Sequence, residues 1–150
     1  MSARAWLSAG LALATLSCGG PRGEELPFSL VTTCLFFPVP TERVFRTTTE
    51  WTAAHRPGQG APPIDFASTM VAAHFDGEGS ACTTFSVERV TVEEGFVVVR
   101  ATRHASTLPC ILIVAYPQVS ISLPRREEPV RFVFTDVRGD AAAGPARACY

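Results

Sequence analysis

The stretch Thr84-Phe-Ser-Val-Glu-Arg-Val-Thr-Val92, the turn Glu93-Glu94-Gly95 and the return Phe96-Val-Val-Val-Arg-Ala-Thr-Arg-His104 decide the fold. Two runs rich in β-branched and aromatic residues flank a short glycine-containing turn, the pattern of an antiparallel hairpin. In the first run Phe85 and Val87 alternate with polar residues, and Val90 and Val92 resume the alternation one register later. Side chains on a strand alternate with period two, so this slip predicts a bulge or bend between Val87 and Val90.

Outward from the hairpin, more strand-like runs appear. Ser29–Phe37 is β-branched and aromatic between Pro27 and Pro38, and Arg43–Thr47 can continue extended. Met70–Phe75 reads as a buried strand, and the turn 76–80 ends it. Ile111–Tyr116, Val119–Leu123 and Val130–Phe134 complete the set, punctuated by Pro117 and by Pro124-Arg-Arg-Glu-Glu-Pro129. A single short helix is expected through Thr49–His55, N-capped by Thr48 or Thr47 and stopped by Pro57-Gly58. About seven strands with one short helix define an α+β class, predominantly antiparallel β, because the connections are too short for repeated βαβ crossovers. No internal repeat is visible.

The chain has 150 residues, enough for one sizeable core. The first 17 hold one early cation, Arg4, followed by the uncharged apolar run Ala5–Leu16. That run falls short of the roughly 20 residues that span a bilayer and has the form of a secretion signal. Ser17, then Cys18 and Gly19-Gly20, resemble the bacterial lipoprotein cleavage box, in which the cysteine thiol takes a diacylglycerol and becomes the new N-terminus. Thr15 stands where that box usually has leucine. The expected organisation is therefore a signal peptide over 1–17, a lipid-anchored tether over 18–28 rich in Gly, Pro and charge, and one β-rich domain over 29–150. Ordinary secretion or a periplasmic location is the alternative; either places the domain outside the cytoplasm.

If Cys18 carries lipid, four cysteines remain, an even number that suggests disulfides in an exported chain. Three connectivities are possible, and the pairing adopted is Cys82–Cys110 across neighbouring strands with Cys34–Cys149 tying the ends together. The chain-entropy model gives loops of these lengths at most about 3.5 and about 5 kcal/mol. The competing reading of Cys149 is a loose tail with a free or intermolecular thiol. No two cysteines have the close C-x2-C spacing of structural zinc sites, so zinc is set aside. A nucleophilic cysteine would need a nearby base and would be drawn into a bridge in an oxidising compartment.

Composition removes further classes. Thirteen basic against fourteen acidic side chains give a net charge of −1, so no whole-molecule field draws the protein onto nucleic acid. All the basic residues are arginine; without lysine there is no Schiff-base chemistry, and without asparagine no N-glycosylation site. No nucleophile elbow, zinc-protease helix, phosphate loop or dinucleotide fingerprint is present. Among the histidines, His55 reads as a cation at a helix C-terminus and His104 as a strand-end surface residue. His74 and Asp76 share one strand face, and a satisfied or exposed strand histidine is the simpler account of them. The pairs Glu24-Glu25, Glu93-Glu94 and Glu127-Glu128 sit where solvated charge is the default. Trp51 reads as packing onto the sheet, Asp65 as a turn residue before Phe66, and Arg125-Arg126-Glu127-Glu128 as a solvated turn.

The order of elements resembles a known family. A tryptophan-bearing short helix, then Pro-Pro-Ile-Asp-Phe (62–66), Met70-Val71, a glycine-containing turn, a hairpin, and Tyr116-Pro117 leading into Val119–Pro124 is similar to the C-terminal domain of the protease complex subunit PrcB family, over residues 43 to 135. Where that family has Gly-Gly-Tyr at the start of the hairpin, this chain has Ala81-Cys82-Thr83-Thr84-Phe85. The resemblance implies an exported, often lipid-anchored bacterial protein acting as a non-catalytic accessory subunit of a secreted or surface protease. No catalytic residue carries over from it.

The reading adopted is a cell-envelope interaction domain that is not an enzyme, has no cofactor or metal, and meets a protein partner and, through its anchor, a membrane. Its alternative is an extracytoplasmic lipoprotein that binds a small ligand or metal in a pocket on the sheet. The first expects an exposed apolar patch or an unpaired edge strand without clustered ionisable groups, the second a concave pocket with convergent polar groups. A hydrolase would instead place a nucleophile within reach of a base such as His74.

Overall fold

The computed structural model describes residues 23–80, 82–107 and 114–139. Within them the order is β1 (Glu24–Glu25), β2 (Ser29–Leu30), β3 (Thr41–Phe45), α1 (Thr48–Ala53), β4 (Thr69–Phe75), β5 (Gly79–Ser80), β6 (Thr83–Glu93), β7 (Phe96–Ala105), β8 (Val114–Ala115), β9 (Gln118–Pro124) and β10 (Val130–Arg138). Two four-stranded sheets form, ordered β1-β6-β7-β10 and β2-β9-β4-β3, with a small β5-β8 ribbon beside them. Among the described residues the chain is thus β-rich with one short helix, and every strand pair there is antiparallel except β7 with β10. After β7 the chain crosses to the other sheet and returns, so β10 enters beside β7 running in the same direction.

The β6–β7 hairpin turns through Glu94 (φ 50°) and Gly95 (φ 81°). Two consecutive positive φ values give the turn twist that matches two right-twisted strands, and glycine takes the second at no steric cost. The expected bulge is present: Val87 pairs with Ala101 and Arg89 with Arg100, leaving Glu88 as the extra residue. It restores the inward register of Val90 and Val92.

Alternation then assembles the core. Val90, Val97, Val99 and Phe132 of one sheet meet Met70, Ala72, Val119, Ile121 and Leu123 of the other in one buried cluster. On the opposite face of the second sheet, Val71, Ala73 and Phe75 pack with Phe45, Leu35, Trp51 and Phe66 beneath α1 and the loops. β4 is therefore covered on both faces, which explains its nearly unbroken apolar sequence. α1 is short for an isolated helix. A capping box holds its start: Thr47 Oγ1 accepts from Glu50 N–H (3.2 Å) and Glu50 Oε2 accepts from Thr47 N–H (3.1 Å).

Three expectations change. The strand expected over Ser29–Phe37 is a strand only at Ser29–Leu30. Beyond Val31, whose N–H still donates to the Ser120 carbonyl, the chain leaves the sheet so that Leu35 can enter the second cluster. The Gln118 side chain supplies the missing partner, accepting from Leu35 N–H (3.2 Å) and donating to its carbonyl (3.1 Å). The folded part also begins before residue 29: Glu24 and Glu25 pair with Val92 and Thr91, and Leu26 is buried in the main core. The tether expected over 18–28 thus overlaps the fold at its end, because Leu26 and Phe28 find apolar partners that composition alone does not reveal. Finally, the extended run expected at Arg43–Thr47 is β3 at Thr41–Phe45, since Thr47 is engaged as the helix cap. Of the run Ile111–Tyr116, residues 111–113 lie outside the described residues and Val114–Ala115 forms β8.

Candidate functional site

At one end of the sandwich the inward faces stop being aliphatic. On β4 the inward series Met70, Ala72 continues to His74; on β7 the series Val97, Val99, Ala101 continues to Arg103; on β10 Phe132 and Phe134 continue to Asp136. Period-two alternation thus drives a histidine, an arginine and an aspartate toward one mouth.

Asp76, just past β4, gathers them. Its Oδ1 accepts from His74 Nε2–H at 2.9 Å and from the Arg103 guanidinium at 2.8 Å, while Arg103 also reaches Asp136 at 3.2 Å. Glu42, opposite His74 on β3, faces the other imidazole nitrogen at 3.4 Å. Three phenylalanines wall the imidazole, with Phe134 at 4.4 Å, Phe132 at 5.6 Å and Phe85 at 6.0 Å between ring centroids. Arg103 lies over Phe134 at 4.7 Å. Burial alone would raise the Asp76 carboxyl, but the hydrogen bond from His74 and the charge of Arg103 outweigh it and hold it below its ordinary 3.8. Gly77 keeps Asp76 in place: at φ 77° it passes so close to Pro40 that a Cβ would stand 2.9 Å from the proline ring. Asp76 N–H is bonded to the Pro117 carbonyl.

The chemistry of this cluster is that of a clasp. The interaction reading expects no clustered ionisable groups, and this cluster departs from that expectation: His74 meets two carboxylates and aromatic rings, which tie it to neighbouring strands. Among the described residues no three His, Cys, Asp or Glu side chains gather as a metal ion would require. The cluster joins β3, β4, β7 and β10 and so fixes β10 against both sheets.

Clasped on its inner face, β10 has an outer edge that no strand of the described residues pairs. Val97 N–H donates to the Pro129 carbonyl and Gly139 N–H to the Ala105 carbonyl. In a parallel ladder alternate residues serve one neighbour, so the odd-numbered residues of β10 turn their backbone groups toward β7. The even-numbered ones, Val130, Phe132, Phe134, Asp136 and Arg138, turn theirs outward, where no strand of the described residues pairs with them. On the solvent face of the same strand Val133 and Val137 are 42% and 40% exposed. The other sheet edges are shorter: β1 and β2 have two residues each and β3 five, against nine in β10.

The remaining singled-out residues are structural. His55, expected as a cation at the helix end, is buried there, Nδ1–H donating to the Trp51 carbonyl (2.7 Å) while Nε2 meets the Thr33 hydroxyl (2.8 Å). Sequence spacing could not show that Thr33 lies above it. His104 meets Ser86 at 3.0 Å on the exposed sheet face. Trp51 packs, with its indole N–H donating to the Pro62 carbonyl at 2.9 Å. Asp65 shapes its turn by accepting from Ala67 N–H and Ser68 Oγ–H. The 125–128 turn is more than solvated charge: Arg125 donates to the Phe66 carbonyl and Arg126 pairs with Glu24. Cys34 and Cys82 are each disulfide-bonded, while Cys18, Cys110 and Cys149 lie outside the described residues. An open groove of about 470 Å³ lies between α1 and the 61–66 loop, lined by Thr48, Thr52, Pro62, Pro63 and Asp65 over Trp51. No helix among the described residues is long and apolar enough to cross a membrane.

Sequence reasoning missed Arg103, Asp136 and Glu42. The inward parity of residues 97, 99, 101 and 103 was the available signal for Arg103. Comparison with family models, with curated proteins and with solved structures finds no match.

Proposed function

We propose that this chain is a non-catalytic protein-interaction domain, held by a lipid on Cys18 at the extracytoplasmic side of a membrane, and that it serves as an accessory subunit of a secreted or surface protease. The observation that carries the reading is the long open edge of β10 with Val133 and Val137 exposed beside it. An unpaired edge of this length is a template for pairing with another chain, and the charges it carries select which chain. The clasp behind it ties β10 to its neighbours, which lowers the ordering cost of presenting that edge. The protease partner rests on the resemblance to the PrcB family, and the anchor on the leader and Cys18.

Affinity capture of the full-length, membrane-extracted protein from its native cell, with mass spectrometry of co-purified proteins and of the N-terminus, tests the whole reading. The expected result is a stoichiometric secreted protease and a diacylated Cys18. Recovery of the protein alone, cleaved elsewhere and without lipid, would overturn it. Non-reducing peptide mapping of the same material is expected to give Cys82–Cys110 and Cys34–Cys149. A second reading, a small-ligand lipoprotein, draws on the groove above Trp51 and expects a low-molecular-weight compound to co-purify in its place.

A further inference from the structure

Resting on the docking-domain reading, we infer that β10 accepts a specific kind of partner segment: an extended, apolar stretch flanked by carboxylates, added antiparallel as a fifth strand of the β1-β6-β7-β10 sheet. The backbone half of the match is the row of outward N–H and C=O groups at Val130, Phe132, Phe134, Asp136 and Arg138. Main-chain pairing of this type supplies affinity, and alternate side chains supply selectivity. Antiparallel pairing is the more stable arrangement per residue.

The side-chain half comes from the solvent face, where Arg131, Val133, Thr135 and Val137 stand in a row. Val133 and Val137 call for small or β-branched apolar side chains opposite them. Cations stand at the two ends of the strand, Arg131 on this face and Arg138, two residues from Asp136, on the other. Arg131 stacks over Phe96 at 5.1 Å, and neither it nor Arg138 joins an ion pair among the described residues. The one acid on the strand, Asp136, is already held by Arg103. An added strand with a carboxylate at each end of an apolar centre therefore meets, at both ends of the edge, an arginine without an ion pair among the described residues. A basic segment would meet repulsion there, so the edge discriminates by charge as well as by shape.

Read antiparallel to residues 138 down to 131, the complement is an octapeptide of the type Glu-Val-Thr-Val-Thr-Val-Thr-Glu. The experiment adds this peptide, and a control with arginine in place of both glutamates, to the purified full chain. Amide hydrogen exchange is followed along β10. Without peptide, the amides of Arg131, Val133, Thr135 and Val137 are protected by β7, and those of Phe132, Phe134, Asp136 and Arg138 exchange fast. The acidic peptide is expected to protect the second set and to bind about tenfold more tightly than the basic one at low salt, the difference shrinking as salt screens it. The double variant Arg131→Glu/Arg138→Glu is expected to reverse the preference, which loss of folding could not do. Val133→Lys/Val137→Lys is expected to abolish binding while protection at the odd-numbered residues persists.

Fast exchange at the even-numbered residues in the presence of either peptide overturns the inference. So does equal affinity for both peptides, or concentration-dependent protection without peptide, which would mean that a second copy occupies the edge. Capture from the native cell separates this from the broader reading. If the lysine variant retains the same stoichiometric partner as the wild type, the docking domain stands and the β10 assignment falls; if the wild type retains none, the docking domain itself falls.

Discussion

Replacing Asp76 by alanine removes the acceptor on which the clasp between the sheets converges. Its Oδ1 holds His74 at 2.9 Å and Arg103 at 2.8 Å, and the side chain is 21% exposed, so water restores only part of the loss. A hydrogen bond to a charged group is worth about 1.5–3 kcal/mol, and donors left behind carry a desolvation penalty of about 1–3 kcal/mol. Arg103 keeps Asp136 and His74 keeps its approach to Glu42, which offsets part of the sum. The expected destabilisation is about 3 kcal/mol, read as a lower urea midpoint at unchanged m, or about 10 °C in Tm. Asp76→Asn retains an acceptor without the charge and should fall between. The acid limb gives a second readout. The Asp76 carboxyl in the folded state lies below its ordinary 3.8, so its contribution is fully present above that value and is lost as pH falls through the lowered folded value. The wild type should therefore lose stability more steeply than Asp76→Ala below about pH 4. A variant within about 0.5 kcal/mol of wild type, or with the same acid slope, refutes the clasp.

Three further outcomes follow from individual contacts. Glu93 is held down to about 2 by hydrogen bonds from Arg100 and Thr91, so its share of stability is present above its usual 4.5 and is lost between there and about 2; in Arg100→Met, an NMR titration should show its carboxyl returning toward the usual value. Gln118→Leu removes both bonds to the Leu35 backbone and should cost about 2 kcal/mol in chemical denaturation, with faster exchange of the Leu35 amide. Glu50→Ala dismantles the capping box and should cost about 1 kcal/mol, a loss that Glu50→Gln, which keeps an acceptor, largely avoids; equal losses in the two would refute the cap.

Local patterning settles much of this molecule. The hairpin, its turn at Glu94-Gly95 and the bulge after Val87 follow from period-two alternation and from which residue tolerates a positive φ, so they are legible in residues 84–104 alone. The threonine cap of α1, the packing role of Trp51 and the turn at Asp65 are equally local in origin. The same applies to the His74–Asp76 contact, because residues two apart on a strand share a face. What sequence could not supply is which strands become neighbours. Leaving the sheet after Val31, entering it at Glu24, burying His55 under Thr33 and placing Arg103 and Asp136 beside His74 all depend on contacts between residues far apart in the chain. Those contacts form because apolar area is buried between sheets, and the hydrophobic effect has no direction of its own to announce a partner in advance. The open edge of β10 is likewise a property of topology: the sequence specifies a strand, and only the order of strands in the sheet leaves its far side without a neighbour among the described residues.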